Sequence, residues 1–272
     1  MELIVFTKHF KGQSIEETIE AIKKAGATGA DLCVRPGYYV TPENISEKLP
    51  EVVKVFKEAG LSIPMITTPT LFVSPGDPAM EKVLVACGKS GIRLIKLGYW
   101  FMDKEGYWPT VDRVRKELEK LVKLARKHNV KICIHNHSES SMGLNSCSVM
   151  NLVKGFDPKC VGVILDPGHL SIVGEPLPMA FSIVKEYISI VAVKDVTREK
   201  YKDENGLDKW RIKPVPLREG FVDLHDLAVL LNETKFSGPI SMHSEYNLPL
   251  EALIAQTKTD IEYFKNLMEK AG

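Results

Sequence analysis

The stretch VILDPGHLSI, residues 163–172, starts as a buried strand and ends in ionisable side chains. Three consecutive apolar residues lead directly to Asp166, and His169 follows three positions later. A hydrophobic core has no use for a carboxylate and an imidazole at the tip of a strand, whereas a site at the mouth of a parallel barrel is built from such residues. The stretch therefore predicts a polar site at the carboxyl end of a buried strand.

Apolar runs of strand length alternate with helical segments along the whole chain of 272 residues. Short runs rich in Val and Ile, separated by segments of helix length, are typical of repeated βα units and a parallel sheet. The predicted strands are LIVF (3–6), DLCV (31–34), LSIPMI (61–66), IRLIKL (92–97), VKICI (130–134), VGVIL (161–165), SIVAV (189–193) and PISMH (239–243). They predict an α/β fold, a single (β/α)8 TIM barrel forming one domain over residues 1–272, since such barrels take about 250 residues.

An open, doubly wound sheet is the rival fold. It would usually carry a glycine-rich phosphate-binding turn after an early strand, and none of the early turns has one. The segment between the seventh predicted strand and Asp223 is unusually long, and its Asn205-Gly206 pair favours a tight hairpin turn. We therefore expect a β-hairpin insertion in the loop after strand 7, on the same face as the site.

Capping residues mark where helices start. Ser14 and Glu17 form a Ser-x-x-Glu capping box ahead of an apolar stripe that ends at Gly26. Further helices are predicted to start at Asp77-Pro78, Thr110, Asp223 and Pro249. These helices fall between predicted strands, as a barrel requires.

Composition argues against several classes of protein. The 36 basic and 35 acidic residues leave a net charge of +1, so we expect neither a nucleic acid nor a membrane as partner. Five scattered cysteines without a CxxC pair predict reduced thiols and a cytoplasmic location. The N-terminal residues 1–10 fit a first strand rather than a signal peptide. Aromatic residues near Tyr99 and Trp108 suit either a pocket or a subunit contact, which leaves a homo-oligomer open.

Ionisable residues gather at the predicted carboxyl ends of the strands. Five of the seven histidines fall there, whereas His128 and His225 lie in predicted helical segments. His, Asp and Glu side chains that converge on one mouth resemble a divalent metal site. The predicted metal ligands are His135, Asp166, His169 and Glu245. The other residues at strand ends are His9, Arg35, Lys96, His137, Lys194 and His243.

Structural roles compete with this interpretation. The polar residues could simply be satisfied groups that cap the barrel and its helices. Arg35 could pair with Asp31, and Lys194 could pair with Asp195. For His243, a place in a packed layer of the core is the favoured interpretation.

Several motifs resemble one family. GADLCVRPG after the first helix, LDPGHLS, VAVKD, VPLREGFVDL and SGPISMHSEY are similar to the xylose isomerase-like TIM barrels. This is the sugar phosphate isomerase/epimerase group, which also contains tagatose and psicose epimerases, inosose dehydratase and endonuclease IV. The resemblance covers nearly the whole chain, and it is specific for the superfamily rather than for a substrate.

The resemblance implies a metal site with two departures. In the epimerase branch a divalent ion, often Mn²⁺, is held by Glu, Asp, His and Glu on strands five to eight. Asp166 and Glu245 match this pattern, whereas His135 stands in place of the first Glu and Ala192 in place of the His. The missing Glu is also one of the two acid/base residues of the epimerases, and the family's Asp-x-x-His histidine usually contacts substrate. Mn²⁺ is therefore the first expectation, with Zn²⁺, Mg²⁺ or Co²⁺ as alternatives.

The resemblance implies an isomerase or epimerase that moves a proton next to the carbonyl of a sugar or keto-sugar. A dehydratase or hydratase acting on a keto-sugar or inositol derivative, or a sugar-binding barrel without catalysis, is the alternative. A nuclease is disfavoured by the near-neutral charge and missing ligands. The expected catalytic residues are Glu245, His135 and Lys194. The expected substrate-binding residues are His9, Arg35, Lys96, His137, His169 and Arg198.

Substitution of Asp166 distinguishes a role in a functional site from a role in the fold. If the carboxylate belongs to a site whose cation comes from a ligand, removing its charge relieves strain in the unliganded protein. On the sequence alone, we expect Asp166→Asn to leave folding nearly unharmed and to abolish metal binding or activity.

Overall fold

The structure, a computed structural model, describes residues 2–272. Its strands are β1 (Glu2–Phe6), β2 (Gly29–Cys33), β3 (Ser62–Thr67), β4 (Leu94–Lys96), β5 (Lys131–His135), β6 (Val161–Leu165), β7 (Ile188–Val193), β8 (Asp195–Lys202), β9 (Asp208–Val215) and β10 (Pro239–Met242). Its helices are α1 (Ile15–Lys24), α2 (Ile45–Glu58), α3 (Met80–Lys89), α4 (Tyr107–Lys127), α5 (Ser146–Val153), α6 (Pro167–Val173), α7 (Leu177–Val184), α8 (Leu224–Glu233) and α9 (Leu250–Lys270), with a 3-10 helix at Thr7–Phe10.

Eight parallel strands close into a barrel in the order β1-β10-β7-β6-β5-β4-β3-β2. This confirms the predicted (β/α)8 barrel, and each predicted strand overlaps an observed one. The remaining strands, β8 and β9, form an antiparallel hairpin directly after β7, which confirms the predicted insertion. Gly206 adopts a positive φ of 75° at its turn, a conformation that glycine reaches without a Cβ clash.

The helices follow the capping signals with two exceptions. The capping box of Ser14 and Glu17 is present, and Asp223 caps α8 through the backbone N–H of Asp226. The predicted start at Asp77 is wrong, because its carboxylate closes a turn on Ala79 before α3 begins. The predicted start at Thr110 is also wrong. Helix α4 begins one turn earlier, and the Thr110 hydroxyl donates to the Gly106 carbonyl from inside it.

The larger core lies between the barrel wall and the surrounding helices, and a smaller one fills the barrel interior. Burial of each large side chain in these layers stabilises the fold by roughly 1.5–3 kcal/mol. The interior layer consists of Ile4, Met65, Cys133, Ile164, Ile190 and Ala192, with Leu94 packed against it. In residues 2–272 we find no helix long and apolar enough to cross a membrane, and all five cysteines carry free thiols.

This interior layer determines which side chains reach the mouth. Residues two positions apart on a strand share a face, so the residue two places after each interior apolar side chain points into the barrel one layer higher. The residues that follow at this spacing are Phe6, Thr67, Lys96, His135, Asp166 and Lys194. The alternation thus continues the apolar floor into an upper layer that, apart from Phe6, is polar at the carboxyl ends of the strands.

Candidate active site at the carboxyl mouth of the barrel

Asp166 lies at the centre of the polar layer and is fully buried. It is the N-cap of α6, since its Oδ1 accepts a hydrogen bond of 3.0 Å from the backbone N–H of His169. Its Oδ2 lies 3.1 Å from His135 Nε2 and 3.1 Å from Lys194 Nζ. The side chain of Asn136 holds the Asp166 backbone through two further hydrogen bonds. The Asp-x-x-His spacing therefore includes a helix-capping role, as the competing structural interpretation of the sequence expected.

The two imidazoles beside Asp166 are each held at their second ring nitrogen. His135 Nδ1 lies 3.2 Å from the hydroxyl of Tyr99, and His169 Nδ1 lies 2.8 Å from the hydroxyl of Ser138. His169 Nε2 lies 2.6 Å from Lys194 Nζ. The backbone N–H of Ser138 also points at His169 Nδ1, at 3.3 Å, so one ring nitrogen faces Ser138 and the other faces Lys194.

Lys194 reaches Asp166 through a gap left by a glycine. A Cβ at Gly168 would lie 2.7 Å from Cγ and 2.8 Å from Cε of Lys194. The missing side chain in the first turn of α6 therefore makes room for the aliphatic stem of Lys194. This explains physically why a glycine sits between Pro167 and His169.

Glu245 follows β10 and faces Lys194 from the other side. Its Oε2 lies 3.8 Å from Lys194 Nζ, and its Oε1 forms an ion pair with Lys8. Burial opposes ionisation of Glu245, but the charges of Lys194, His243 and Lys8 outweigh it and lower its pKa to about 2. Glu245 is thus an ionised carboxylate at the mouth.

Burial and charge also determine the protonation of the buried cluster. Burial is the main cause that lowers the pKa of His135 and of His169 well below 6.5, so both imidazoles are neutral. Burial opposes ionisation of Asp166, but Lys194 and the two imidazoles hold its pKa well below the usual range. The cluster therefore presents one carboxylate and two neutral imidazoles.

The opposite wall of the mouth contains a second group of ionisable side chains. The carboxylate of Asp31 accepts hydrogen bonds from Thr67 (2.6 Å) and Ser241 (3.0 Å). Lys96 is also buried, and its Nζ lies 4.3 Å from the centroid of the Tyr99 ring. Burial and the neighbouring Arg35 lower the pKa of Lys96 to about 7. This wall therefore holds a buried lysine without the ion pair that Lys194 makes.

A cavity of about 260 Å³ opens between these walls. Seven of the predicted site residues line it, and Asp166 lies behind His135 and Lys194. Lys8, Tyr99 and His243 also line it, and Ser138 supports His169 from outside. No sequence signal singled out Ser138, whereas Lys8 and Tyr99 each lie two positions after the end of a predicted strand. The predicted residues that line the cavity are Arg35, Lys96, His135, His137, His169, Lys194 and Glu245.

Two predicted substrate-binding residues lie outside the lining of this cavity. His9 is on the 3-10 helix after β1, and Arg198 is on β8, where it donates to the carbonyl of Ile172. The competing structural pairings also differ from expectation. Arg35 donates to the carbonyl of Thr68, and Asp195 accepts from three backbone N–H groups, including that of Gly220. His243 stacks on Phe6 at 4.5 Å and also lines the cavity.

The donor set fits a divalent ion in part. One ligand atom each from His135, Asp166 and His169 lie within 4.8 Å of one another. Two imidazoles and a carboxylate are ligands that Zn²⁺ and related ions accept, and the supports from Tyr99 and Ser138 are typical of ordered metal-binding histidines. The fourth predicted ligand, Glu245, is instead paired with Lys8 and Lys194.

The eight-stranded barrel and the polar mouth are shared with one family of barrel proteins. Residues 19–267 match the family model described as xylose isomerase-like TIM barrel, and the chain belongs to this family. The uncharacterized protein MJ1311 of Methanocaldococcus jannaschii is 22% identical over 255 residues, which cover 87% of this chain and 81% of the relative.

Solved structures share the fold at low sequence identity. The IOLI protein with a bound zinc atom has a TM-score of 0.78 and 16% identity, over 100% of this chain and 99% of that one. The 3-keto-D-glucoside 4-epimerase YcjR from E. coli has a TM-score of 0.75 and 16% identity, over 98% and 99% of the chains. The probable 3-DHS dehydratase AsbF from Bacillus anthracis has a TM-score of 0.71 and 16% identity, over 95% and 98%.

Proposed function

We propose that this protein is a sugar or keto-sugar isomerase or epimerase that moves a proton next to a carbonyl group. The observation that carries the proposal is the position of Glu245, an ionised carboxylate that lines the cavity 3.8 Å from the amino group of Lys194. A base beside a cation is the minimal arrangement for taking a proton from carbon and stabilising the resulting enolate. The epimerase activity of the similar YcjR supports the same class.

In this proposal Glu245 removes the proton and Lys194 stabilises the enolate. A proton next to a carbonyl is too weakly acidic to be removed unless the developing enolate oxygen is stabilised, and the positive charge of Lys194 provides this. The low pKa of Glu245 comes from its cationic neighbours, among them Lys8 and Lys194. When those amino groups turn to substrate oxygens, Glu245 regains basicity and accepts the proton.

His135 is the proposed second participant. It reaches the mouth from β5, while Glu245 follows β10, and β6 and β7 lie between these strands. The two groups therefore approach a bound substrate from different sides, as proton return to the opposite face requires. Alternatively, His135 serves with Asp166 and His169 as a metal ligand. A divalent ion there, Mn²⁺ by resemblance, would act as a Lewis acid on substrate oxygens.

The lining of the cavity favours a substrate with a negatively charged group. Four cationic side chains line it against two carboxylates, Glu139 and Glu245. Arg35 and Lys96 belong to the wall where neither side chain has an ion pair in the part of the chain that the structure describes. The ring of His137 is tilted by 40° to that of His169, with the ring centroids 3.8 Å apart. We propose that Arg35, Lys96, His137 and His169 contact substrate, and that His9 and Arg198 contribute only if the loops around them close. The cationic residues of the lining are Lys8, Arg35, Lys96 and Lys194.

A dehydratase is the second candidate. With His135 in place of a carboxylate on β5, Glu245 is the one carboxylate that contacts Lys194 among the lining residues. Expulsion of a β-hydroxyl needs one base and one group to protonate the leaving oxygen, which Glu245 and Lys194 could supply. The dehydratase AsbF shares the fold.

Solvent exchange tests the proposal across many candidate sugars at once. The protein is incubated in D₂O, with Mn²⁺, and a panel of neutral, phosphorylated and carboxylated keto-sugars, and proton NMR follows the C–H next to each carbonyl. We expect exchange with at least one anionic keto-sugar, and Glu245→Gln should slow it by about 10²–10⁴-fold. A dehydratase would instead release water and form an unsaturated ketone.

The matched control is Glu186→Gln, an exposed glutamate just before β7, at the other end of the barrel. It should exchange at the wild-type rate. Absence of exchange across the panel, or equal rates in Glu245→Gln and wild type, would contradict the proposal.

A further inference from the structure

The amino group of Lys194 lies where a divalent ion would bind. It is 2.6 Å from His169 Nε2 and 3.1 Å from Asp166 Oδ2, which are atoms of the only three-residue His/Asp cluster of this kind found in residues 2–272. Metal bonds to these atom types are about 2.0–2.2 Å long. An ion bound to both atoms would therefore take the space that the amino group fills.

Strand β7 supplies this amino group and supplies no ligand of its own. Ala192, two positions earlier on the same face, is fully buried in the apolar floor, and its methyl group cannot coordinate an ion. Strand β7 thus contributes a positive charge to the cluster through Lys194 and contributes no atom that could coordinate a metal ion. The positive charge neutralises Asp166 from within the protein.

Lys194 also has a second acidic partner within reach. Glu245 Oε2 lies 3.8 Å from its Nζ, on the side of the cavity. A Lys194 side chain displaced from Asp166 would therefore move toward another carboxylate rather than into an apolar environment. Its displacement is compatible with the burial of the site, because the charge stays compensated.

We propose that Lys194 is the resident cation of the His135–Asp166–His169 cluster and that Lys194 and a divalent metal ion exclude one another there. Metal occupancy then depends on whether the side chain of Lys194 contacts Asp166 or has moved toward Glu245. This makes Lys194 the residue that weakens metal binding in the wild-type protein. The inference rests on the ligand set of the proposed function and is independent of which reaction the site catalyses.

Metal binding in the absence of substrate tests this directly. Isothermal titration with Mn²⁺ compares the wild type, Lys194→Met and Lys96→Met, where Lys96 is a buried lysine of the same cavity on the other wall. Loss of the competing charge should tighten Mn²⁺ binding by roughly tenfold or more in Lys194→Met. Lys96→Met should change it by less than about threefold. Equal or weaker binding in Lys194→Met than in wild type would overturn the proposal, whatever the exchange assay shows.

A second measurement covers the case in which Lys194→Met does not fold. In wild-type protein labelled with ¹³C at lysine, Zn²⁺ binding should shift the Cε resonance of Lys194, because the amino group must leave His169 and Asp166. Bound Zn²⁺ with an unchanged Lys194 resonance would refute mutual exclusion. Lys194→Gln assigns the resonance and keeps a polar side chain of similar reach.

Discussion

Two buried aspartates on opposite sides of the barrel mouth show how differently one fold can satisfy a carboxylate. Asp166, after β6, contacts Lys194 and two imidazoles. Asp31, within β2, accepts hydrogen bonds from the hydroxyls of Thr67 and Ser241, and His243 Nε2 lies 3.8 Å from its Oδ2, but no lysine or arginine among residues 2–272 contacts it. Burial is nearly complete for both, so burial alone does not mark a site; the kind of partner does.

The lysines of the two walls also differ in their partners. Lys194 is paired with Asp166 at 3.1 Å, whereas Lys96 has no carboxylate within 4.0 Å in the described part of the chain and lies over the Tyr99 ring. The charge of Lys194 is thus compensated by a carboxylate of the protein, whereas that of Lys96 is available to an anionic ligand. We therefore propose that the wall with Lys194 carries out the reaction and that the wall with Lys96 binds an anionic group of the substrate.

The largest expected effect separates the two aspartates. Asp166→Asn leaves the buried charge of Lys194 without its main partner and should destabilise the protein by about 3–5 kcal/mol. Asp31→Asn retains an oxygen for its hydroxyl donors and should cost about 1–3 kcal/mol. Urea unfolding at pH 7 measures both values. The ion pair with Lys194 thus reverses our expectation from sequence that Asp166→Asn would leave folding nearly unharmed.

Equal destabilisation by both substitutions would contradict the difference between the two walls. If a second change, Lys194→Met, restores most of the stability lost in Asp166→Asn, the difference is due to the ion pair. The removal of both charges leaves no uncompensated group between them.

The next effect concerns Lys96 and pH. Its pKa of about 7 in the folded protein lies below the roughly 10.4 of an unfolded chain, so the unfolded chain holds this proton more tightly. Expressed as stability, the depressed pKa destabilises the folded state fully below pH 7, and the penalty fades as pH rises toward 10. Lys96→Met should stabilise the protein by on the order of 2 kcal/mol at pH 6.

Urea unfolding at pH 6 and pH 9.5 checks this prediction, and the gain should be smaller at the higher pH. Lys194→Met serves as the comparison, and it should destabilise the protein at pH 6 because Asp166 loses its cation. A gain from Lys96→Met that does not change with pH would show that packing, not charge, sets the effect.

The smallest expected effect tests the gap that admits Lys194. Gly168→Ala places a Cβ within 2.8 Å of two stem atoms of Lys194, which must shift. The cost should be about 1 kcal/mol, even though alanine favours helix over glycine. In a Lys194→Ala background the two lysine contacts are absent and only Asp166 Oδ1, at 3.1 Å, remains close, so Gly168→Ala should cost clearly less than in the wild type. Additive costs in this double-mutant cycle would mean that Gly168 has another role.

Much of the mouth could be anticipated from the sequence because strand alternation is local. His135, Asp166 and Lys194 each lie two positions after an apolar residue of the barrel floor, and this spacing places them inside whatever the rest of the barrel does. The capping signal at Ser14 was equally local and was confirmed. Thr110 misled because a hydroxyl can cap a helix from outside or bond a carbonyl within it.

The sequence by itself determined the eight βα units, the hairpin after β7 and most of the polar residues that face the mouth, because these follow from periods of two and 3.6 residues. Only the tertiary structure decided which of them touch. His135 and Asp166 are 31 residues apart, and Asp31 and Ser241 are 210 apart. Their contacts depend on the closure and register of the barrel. These also decided that Lys194 contacts Asp166 Oδ2 together with His135, whereas Glu245 does not join this cluster.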